Sequence, residues 1–289
     1  MNTPAPSPNQ EAIDVWNGAL FDKFVRFRHI LAAGLEDHGE SALARRPPAP
    51  GDHVLDIGCG FGDTTQAIAR RVGPDGRAVG IDVAARFIDL ARREAAQARI
   101  DNASYEVRDA EQDELGGPYQ FAFARFGTMF FANPVAALAN IRASLLPGAW
   151  LCMVVWRRRE DSPLHYLAQQ VVEEILPISD GGEGVTGGPG PFSMASPDLV
   201  SAQLLAAGWR DACFERHDAP IMIGRDLDDA VQFALALGPA GERIRLAGET
   251  GEAAKPRIMA ALRTAFAPHL REDGVWLTSS AWIVSARNP

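Results

Sequence analysis

Short apolar runs alternate with amphipathic segments through the middle of the chain, between residues 53 and 157. The runs have the length of strands, and in the segments between them apolar residues recur at three- and four-residue steps, as on one face of a helix. This alternation predicts a mostly parallel sheet with helices on both faces. The predicted strands are 53–57, 77–81, 104–108, a run ending at Arg125-Phe126, and 149–156, and the predicted helices are 63–72, 84–98 and 134–146.

Helical patterns flank this region on both sides. In residues 11–46 apolar side chains recur every three or four positions until a proline-rich stretch, 47–50, stops the pattern. This predicts one N-terminal helical cap over the sheet. Beyond residue 160 the regular alternation breaks down. The patterns there predict helices at 163–176, between Ser196 and Gly208, at 227–237 and at 253–267, and strands at 210–223 and 275–286.

A glycine-rich segment, residues 179–191, follows the first of these later helices. It is too rich in glycine to hold one conformation unaided. Two interpretations remain open for it: a lid that closes over an active site, or an inert surface connection.

Composition and charge narrow the classes of function. Hydrophobic residues make up 47% of the chain, as in an ordinary globular protein, and the longest apolar run, 149–156, is too short to span a membrane. The formal net charge of −9 argues against a nucleic-acid partner, which needs clustered lysine and arginine. Three scattered cysteines form no disulfide or zinc pattern, and the proline-rich start lacks the features of a signal peptide. We therefore expect a cytoplasmic protein without a bound metal.

The first predicted strand opens into three glycines at alternate positions, Gly58, Gly60 and Gly62. Glycine lets main-chain N–H groups approach a ligand closely, and the next helix points its N-terminus at the same place. Acidic residues close three successive strands: Asp56, Asp82 and Asp109. In a doubly wound sheet, a carboxylate at the second of these positions binds ribose hydroxyls. A dinucleotide site is one reading, although the third glycine of G-x-G-x-x-G is missing.

The chain resembles the class I S-adenosylmethionine (SAM) dependent methyltransferases, in particular their quinone-biosynthesis-like, methyltransferase type 11-like branch. The shared motifs are VLDIGCGFG at 54–62, GID at 80–82, RDAE at 108–111, the segment 121–131 and Leu146-Pro147-Gly148. The resemblance implies a Rossmann-like α/β fold with a seven-stranded, mostly parallel sheet and an antiparallel last strand. We expect a tail and helical cap at 1–50, a SAM-binding core at 51–160, and a C-terminal part at 161–289 that completes the sheet and carries a helical insertion for substrate.

The resemblance also implies which residues hold SAM. Asp56 and the glycine backbone would meet the methionine end, Asp82 the ribose, and the segment around Asp109 the adenine. The expected set is Asp56, Gly58, Cys59, Gly60, Thr64, Asp82, Val83, Asp109, Ala110 and Arg125. Plainer roles stay open for several of them: strand-end or helix-capping residues for the acids, packing for Cys59, and a salt bridge for Arg125.

The resemblance implies methyl transfer from SAM to a small organic acceptor, apolar or aromatic, at oxygen, nitrogen or carbon, with S-adenosylhomocysteine (SAH) as the product. Candidates for a general base are His165 after the fifth strand, His29 on the cap and His217, with Trp16 as an aromatic contact for the sulfonium. Two alternatives remain, an NAD(P)-dependent oxidoreductase and a catalytically silent SAM-fold binding protein. The partners considered are the small-molecule acceptor and, as a homodimer, a second copy of the chain.

Overall fold

Eight strands form one sheet in the computed structural model, which describes residues 10–177 and 189–289. The strands are β1 His53–Ile57, β2 Arg77–Asp82, β3 Ala103–Val107, β4 Tyr119–Arg125, β5 Leu145–Trp156, β6 Arg210–Gly224, β7 Leu270–Arg271 and β8 Gly274–Arg287. Their order is β3-β2-β1-β4-β5-β8-β6, and β7 pairs with β8 alone. The glycine-rich segment 179–191, for which a lid and a surface connection are both open, falls almost entirely outside the described residues.

The helices connect these strands and cover the sheet. Before β1 lie α1 Gln10–Val15, α2 Phe21–Arg26 and α3 Arg28–Arg45, and between the strands up to β6 lie α4 Asp63–Val72, α5 Ala85–Gln97, α6 Pro134–Ala143, α7 Pro163–Ile175 and α8 Pro197–Ala206. The insertion between β6 and β7 holds α9 Leu227–Ala236, α10 Pro239–Leu246 and α11 Gly248–Phe266. Within the described ranges, none of these helices combines the length and apolar character that crossing a membrane requires.

The central strands are apolar on both faces. In β1, Val54 and Leu55 are fully buried and Ile57 is 2% exposed, as expected for a strand covered by helices on each side. The pairs β1–β2, β1–β4, β2–β3 and β4–β5 are parallel, whereas β8 runs antiparallel to both β5 and β6. The carboxyl ends of the first five strands therefore meet at one edge of the sheet, where ligands of this fold class bind.

The helical cap predicted over 11–46 is not one continuous helix, because the chain is interrupted twice. A π-helical turn at Trp16–Leu20 contains Gly18 with non-helical angles (φ −103°, ψ −116°), and Phe27 separates α2 from α3. The Phe27 side chain is 2% exposed and packs edge-on against Phe233 of α9, so burying this ring accompanies the second break. The cap consists of short pieces that follow the surface below them.

Two other predictions need correction, and one helix was not predicted. The sheet has eight strands instead of seven, because the two-residue β7 pairs with the start of β8, and so short a strand leaves no pattern in the sequence. The helix predicted to reach residue 146 ends at Ala143, since Leu145 already pairs with Tyr119 in the sheet. Helix α10 was not predicted, because the glycines around it mask its period.

Candidate functional site

The three glycines after β1 have different surroundings. All have positive φ, +65° at Gly58, +52° at Gly60 and +81° at Gly62. A Cβ added to Gly58 would lie 2.9 Å from the Cα of Gly127, and one added to Gly62 would lie 2.7 Å from Tyr105 Cε1. A Cβ on Gly60 would meet no atom of the protein within 4 Å. Gly58 and Gly62 are therefore required by packing, while Gly60 faces open space.

Asp82, the last residue of β2, holds this loop in place. One carboxylate oxygen accepts the N–H of Gly60 at 3.0 Å, and the other accepts the N–H of Ala84 at 2.9 Å. Burial raises the pKa of Asp82, and the backbone donors oppose that effect. The structure thus brings Asp82 and the adjacent Val83 together with Gly60, the glycine of this loop where an added Cβ would face open space.

Asp56 lies below the loop and is 1% exposed. Its carboxylate accepts a hydrogen bond from Thr65 Oγ at 2.6 Å. Burial raises its pKa to about 7, while the Thr65 hydroxyl and the positive charge of Arg125 lower it. A strand-end acid that fixes the following helix is the plainer role anticipated for this residue, and the Thr65 contact is consistent with it.

Cys59 and the segment after β3 also lie at this edge. The Cys59 side chain packs with Ile88, Ala91 and Tyr105, and burial raises the pKa of its thiol well above the usual value. Only its backbone is left to contact a ligand. Strand β3 ends at Val107, so Asp109 lies two residues past the strand instead of directly closing it.

Asp109 organises the turn after β3. Its carboxylate accepts the N–H of Glu111 at 2.9 Å and the side-chain amide of Gln112 at 3.0 Å. The neighbouring Ala110 carbonyl accepts from Asn140 Nδ2 at 2.9 Å. These contacts are those of a residue that shapes a turn, and they place both predicted adenine contacts on one ordered loop.

Arg125 ends β4 as a partly buried cation. Its guanidinium donates to the backbone carbonyl of Leu35 in α3 at 3.2 Å, and it has no ion pair within residues 10–177 and 189–289. Burial lowers its pKa, while Asp63 and Asp56 oppose that effect from a distance. The salt bridge considered for Arg125 is absent there. With Asp63 and Thr64, the side chain lines a cavity of about 250 Å³ between α3 and α4.

The cap is joined to the glycine loop by charge and by aromatic packing. Arg28 at the start of α3 forms ion pairs with Glu94 of α5 and with Asp63 of α4, and its guanidinium lies 4.6 Å from the Phe61 ring centroid. The Trp16 ring packs edge-on at 5.0 Å from that of Phe130, which follows β4. The cap therefore covers the carboxyl edge of the sheet.

Two of the three predicted histidines, His29 and His165, lie in different surroundings. His29 Nε2 is 3.1 Å from Asp229 Oδ2 of α9, so it joins the cap to the insertion. His165 is packed edge-on against Trp156 and Phe192, and its Nδ1 is 3.0 Å from Ser162 Oγ. Burial lowers the pKa of His165 to about 3, so it is neutral at physiological pH.

Sequence reasoning missed a fourth histidine, His38 of α3, which is fully buried. It packs edge-on against Phe126 and Trp156, whose rings stack on each other with centroids 3.8 Å apart. A signal for it was present. The residues Ile30, Gly34, His38 and Ala42 recur at four-residue steps and are all buried, so they form the inner face of α3.

Comparison with known proteins finds a family model that matches the core of the chain. Residues 54–148 match the model of a family described as a methyltransferase domain. The chain is 33% identical over 96 residues to the demethylmenaquinone methyltransferase of Symbiobacterium thermophilum, a match that covers 32% of this chain and 38% of that protein. It is 38% identical over 94 residues to the aklanonic acid methyltransferase DauC of a Streptomyces species, covering 32% and 43%. The chain thus spans less than half the length of these relatives.

The whole chain has the same fold as a solved structure. The [4+2]-cyclase SpnF aligns over 100% of this chain and 99% of its own, with a TM-score of 0.55 and 17% identity. Identity this low shows a shared fold and leaves the reaction open, since one fold carries many chemistries. The motifs, the strand order and the family match agree on the core: residues 54–148 match a methyltransferase domain and carry the motifs that resemble class I SAM-dependent methyltransferases.

Proposed function

We propose that this chain transfers a methyl group from SAM to a small organic acceptor and releases SAH. The observation that carries the proposal is the pairing of Gly60, whose side faces open space, with the Asp82 carboxylate that holds its backbone. A backbone cradle beside an acidic strand end is what a ribose and its attached chain require.

The remaining residues fit a bound SAM molecule. Asp82 and Val83 would take the ribose, and Asp109 with Ala110 would border the adenine. The backbone of Gly58–Gly60, including Cys59, and the Arg125 carbonyl would take the methionine part, next to Asp56 and Thr64. When bound, SAM supplies an activated methyl group, so the protein's task is to position the acceptor and exclude water. The cap that Arg28 and Trp16 fasten over this edge supports that role.

The acceptor class follows from the relatives and from the ring-lined surroundings. The two relatives are named for transfer to demethylmenaquinone and to aklanonic acid, both small organic molecules. In this chain, Phe126 and Trp156 stack at the carboxyl ends of β4 and β5. These rings support an aromatic or otherwise planar acceptor. An exposed free thiol at Cys213 and a buried one at Cys59 support a reducing, cytoplasmic location.

Calorimetric titration with SAH, with NAD as the competing ligand, tests the cofactor. We expect SAH to bind and NAD not to bind; the opposite result would favour an oxidoreductase. A chain that binds neither ligand would contradict every cofactor role proposed above. A chain that binds SAH but methylates nothing in a broad acceptor screen would favour the silent binding protein.

The variant Asp82→Ala tests the ribose contact. A charge-assisted hydrogen bond contributes about 1.5–3 kcal/mol, so losing one weakens SAH binding by roughly 10- to 100-fold. The control is Asp75→Ala, which removes an exposed aspartate from the turn before β2 and changes the net charge equally. An unchanged dissociation constant in Asp82→Ala, with its melting temperature near that of the parent, would show that this carboxylate does not hold the ribose.

A further inference from the structure

The hydrogen bonds of His38 determine which of its ring nitrogens carries the proton. Nε2 lies 2.7 Å from Ser279 Oγ of β8. The Ser279 hydroxyl donates its own proton to the Ala219 carbonyl at 3.0 Å, so toward His38 its oxygen must accept. His38 is therefore protonated on Nε2, and Nδ1 presents a lone pair.

That lone pair has no partner in the structure. Nδ1 is buried and accepts no hydrogen bond from any residue in 10–177 or 189–289. A buried acceptor without a donor destabilises the fold. Burial also lowers the pKa of His38 to about 4, with a smaller contribution from the neighbouring His217, so the ring stays neutral and Nδ1 stays unprotonated. The hydrogen-bonding capacity of Nδ1 is satisfied only when a hydrogen-bond donor reaches it.

The position of the ring connects it to the candidate cofactor site. Its centroid lies 5.5 Å from those of Phe126 and Trp156. Phe126 directly follows Arg125, and the next residue, Gly127, lies against Gly58 of the glycine loop, where a Cβ on Gly58 would be 2.9 Å from it. The unpartnered nitrogen therefore belongs to the side chains that surround the carboxyl end of β4.

We propose that His38 Nδ1 accepts the hydrogen bond, and then the proton, of a neutral hydroxyl group on a planar acceptor that lies against Phe126 and Trp156. This rests on the proposed methyl transfer and assigns its acceptor class as phenols or enols. The hydroxyl oxygen forms a bond to the methyl carbon while the carbon–sulfur bond of SAM breaks, and sulfur keeps the electron pair. The hydroxyl proton moves to Nδ1 and leaves to water after product release.

The charges around His38 are compatible with this transfer. One positive charge disappears from the sulfonium as one appears on the imidazole, so the net charge of the site does not change. Asp37 and Asp218 favour the charged ring, whereas His217 and Arg125 oppose it. Because the ring is fully buried, an acceptor reaches Nδ1 only after the cap has moved away from Phe126.

The variant His38→Gln separates this role from a structural one. A glutamine amide can keep the donation that Nε2 makes to Ser279, yet it places no acceptor where Nδ1 lies. The control is His53→Gln, which makes the same substitution at the exposed first residue of β1. We expect both variants to fold and to bind SAH with the affinity of the parent, because neither side chain is among the proposed SAM contacts.

The readout is the ¹⁵N resonance of each His38 ring nitrogen, recorded first in the free protein and then with saturating SAH during a titration with 2-naphthol. We expect the Nε2-protonated form, and an Nδ1 resonance that moves with 2-naphthol but not with 2-methoxynaphthalene, which lacks the hydroxyl. With SAM, we expect methylation of 2-naphthol that falls at least about 100-fold in His38→Gln and stays unchanged in His53→Gln.

Three results would overturn the assignment: a proton on Nδ1 in the free protein, an Nδ1 resonance that ignores 2-naphthol, or undiminished methylation by His38→Gln. Absence of SAH binding would instead refute the proposed function. The form of the ring in the free protein is readable without any ligand, so the two failures remain distinguishable.

Discussion

The substitution Gly60→Ala tests the loop most directly, because it separates a ligand effect from a folding effect. Gly60 has φ +52°, and no protein atom lies within 4 Å of the position that an added Cβ would take. The alanine methyl group would project into open space beside the N–H that Asp82 accepts. In the proposed function, that space belongs to SAM.

The cost to folding follows from the backbone alone. A non-glycine residue in the left-handed region costs about 1–2 kcal/mol, and no clash adds to it at this position. That corresponds to a fall in melting temperature of about 2–8 °C. Gly58→Ala is expected to cost more, since its Cβ would lie 2.9 Å from backbone at Gly127, and overpacking adds about 1–3 kcal/mol. The matched control is Gly248→Ala, at φ +56° and likewise with no atom within 4 Å.

Melting curves and calorimetric titration with SAH measure both effects. We expect Gly60→Ala and Gly248→Ala to lose similar stability, while Gly60→Ala alone binds SAH at least 10-fold more weakly, a loss of about 1.4 kcal/mol. Parent-like affinity in Gly60→Ala would refute the reasoning that the open side of Gly60 faces the cofactor. Equal loss of affinity in both variants would show that the effect comes from general destabilisation.

Two further substitutions probe the cap and the buried acid. Arg28→Met removes ion pairs whose side chains are 21–35% exposed, so we expect a loss of about 1 kcal/mol and faster hydrogen exchange in α2. The control Arg45→Met removes a peripheral ion pair between α3 and Glu215 of β6, and we expect it to leave exchange in α2 unchanged. Because the pKa of Asp56 is raised, its ionisation destabilises the fold as pH rises from about 4 to 7. In urea unfolding, we expect the free energy of unfolding of Asp56→Asn to gain about 3 kcal/mol on that of the parent between pH 5 and pH 8. A difference that stays constant with pH would contradict this.

The core of the fold could be predicted because its signals are local. Helix α4 begins and ends where predicted, at Asp63 and Val72, since Gly62 and Gly73 with positive φ bracket it. Apolar runs with no alternation correctly indicated strands buried on both faces. The breaks in the cap and the two-residue β7 could not be predicted in this way, because burial of Phe27 and pairing with β8 depend on distant parts of the chain.

The candidate site also has features that local sequence signals predict and features that they do not. The motifs placed Asp82 and the glycines correctly at one edge, because the carboxyl ends of parallel strands must meet there. They could not show that Gly60 alone faces open space, or that Arg125 would have no ion pair among the described residues, since both depend on which side chains arrive from other elements. The roles of His165, His29 and His217 as bases stay predictions.

The same distinction explains why acceptor identity does not pass from the relatives to this chain. The family match covers residues 54–148, and the proposed cofactor contacts all lie within it. Most groups around the unpartnered nitrogen of His38 lie outside residues 54–148. Trp156 ends β5, and Ser279 of β8 is 241 residues from His38 along the chain. The docking of α3 against β5, β6 and β8 creates that environment. Two chains can therefore share every motif of the core and still methylate different molecules, and the acceptor must be sought where the cap meets the last strands.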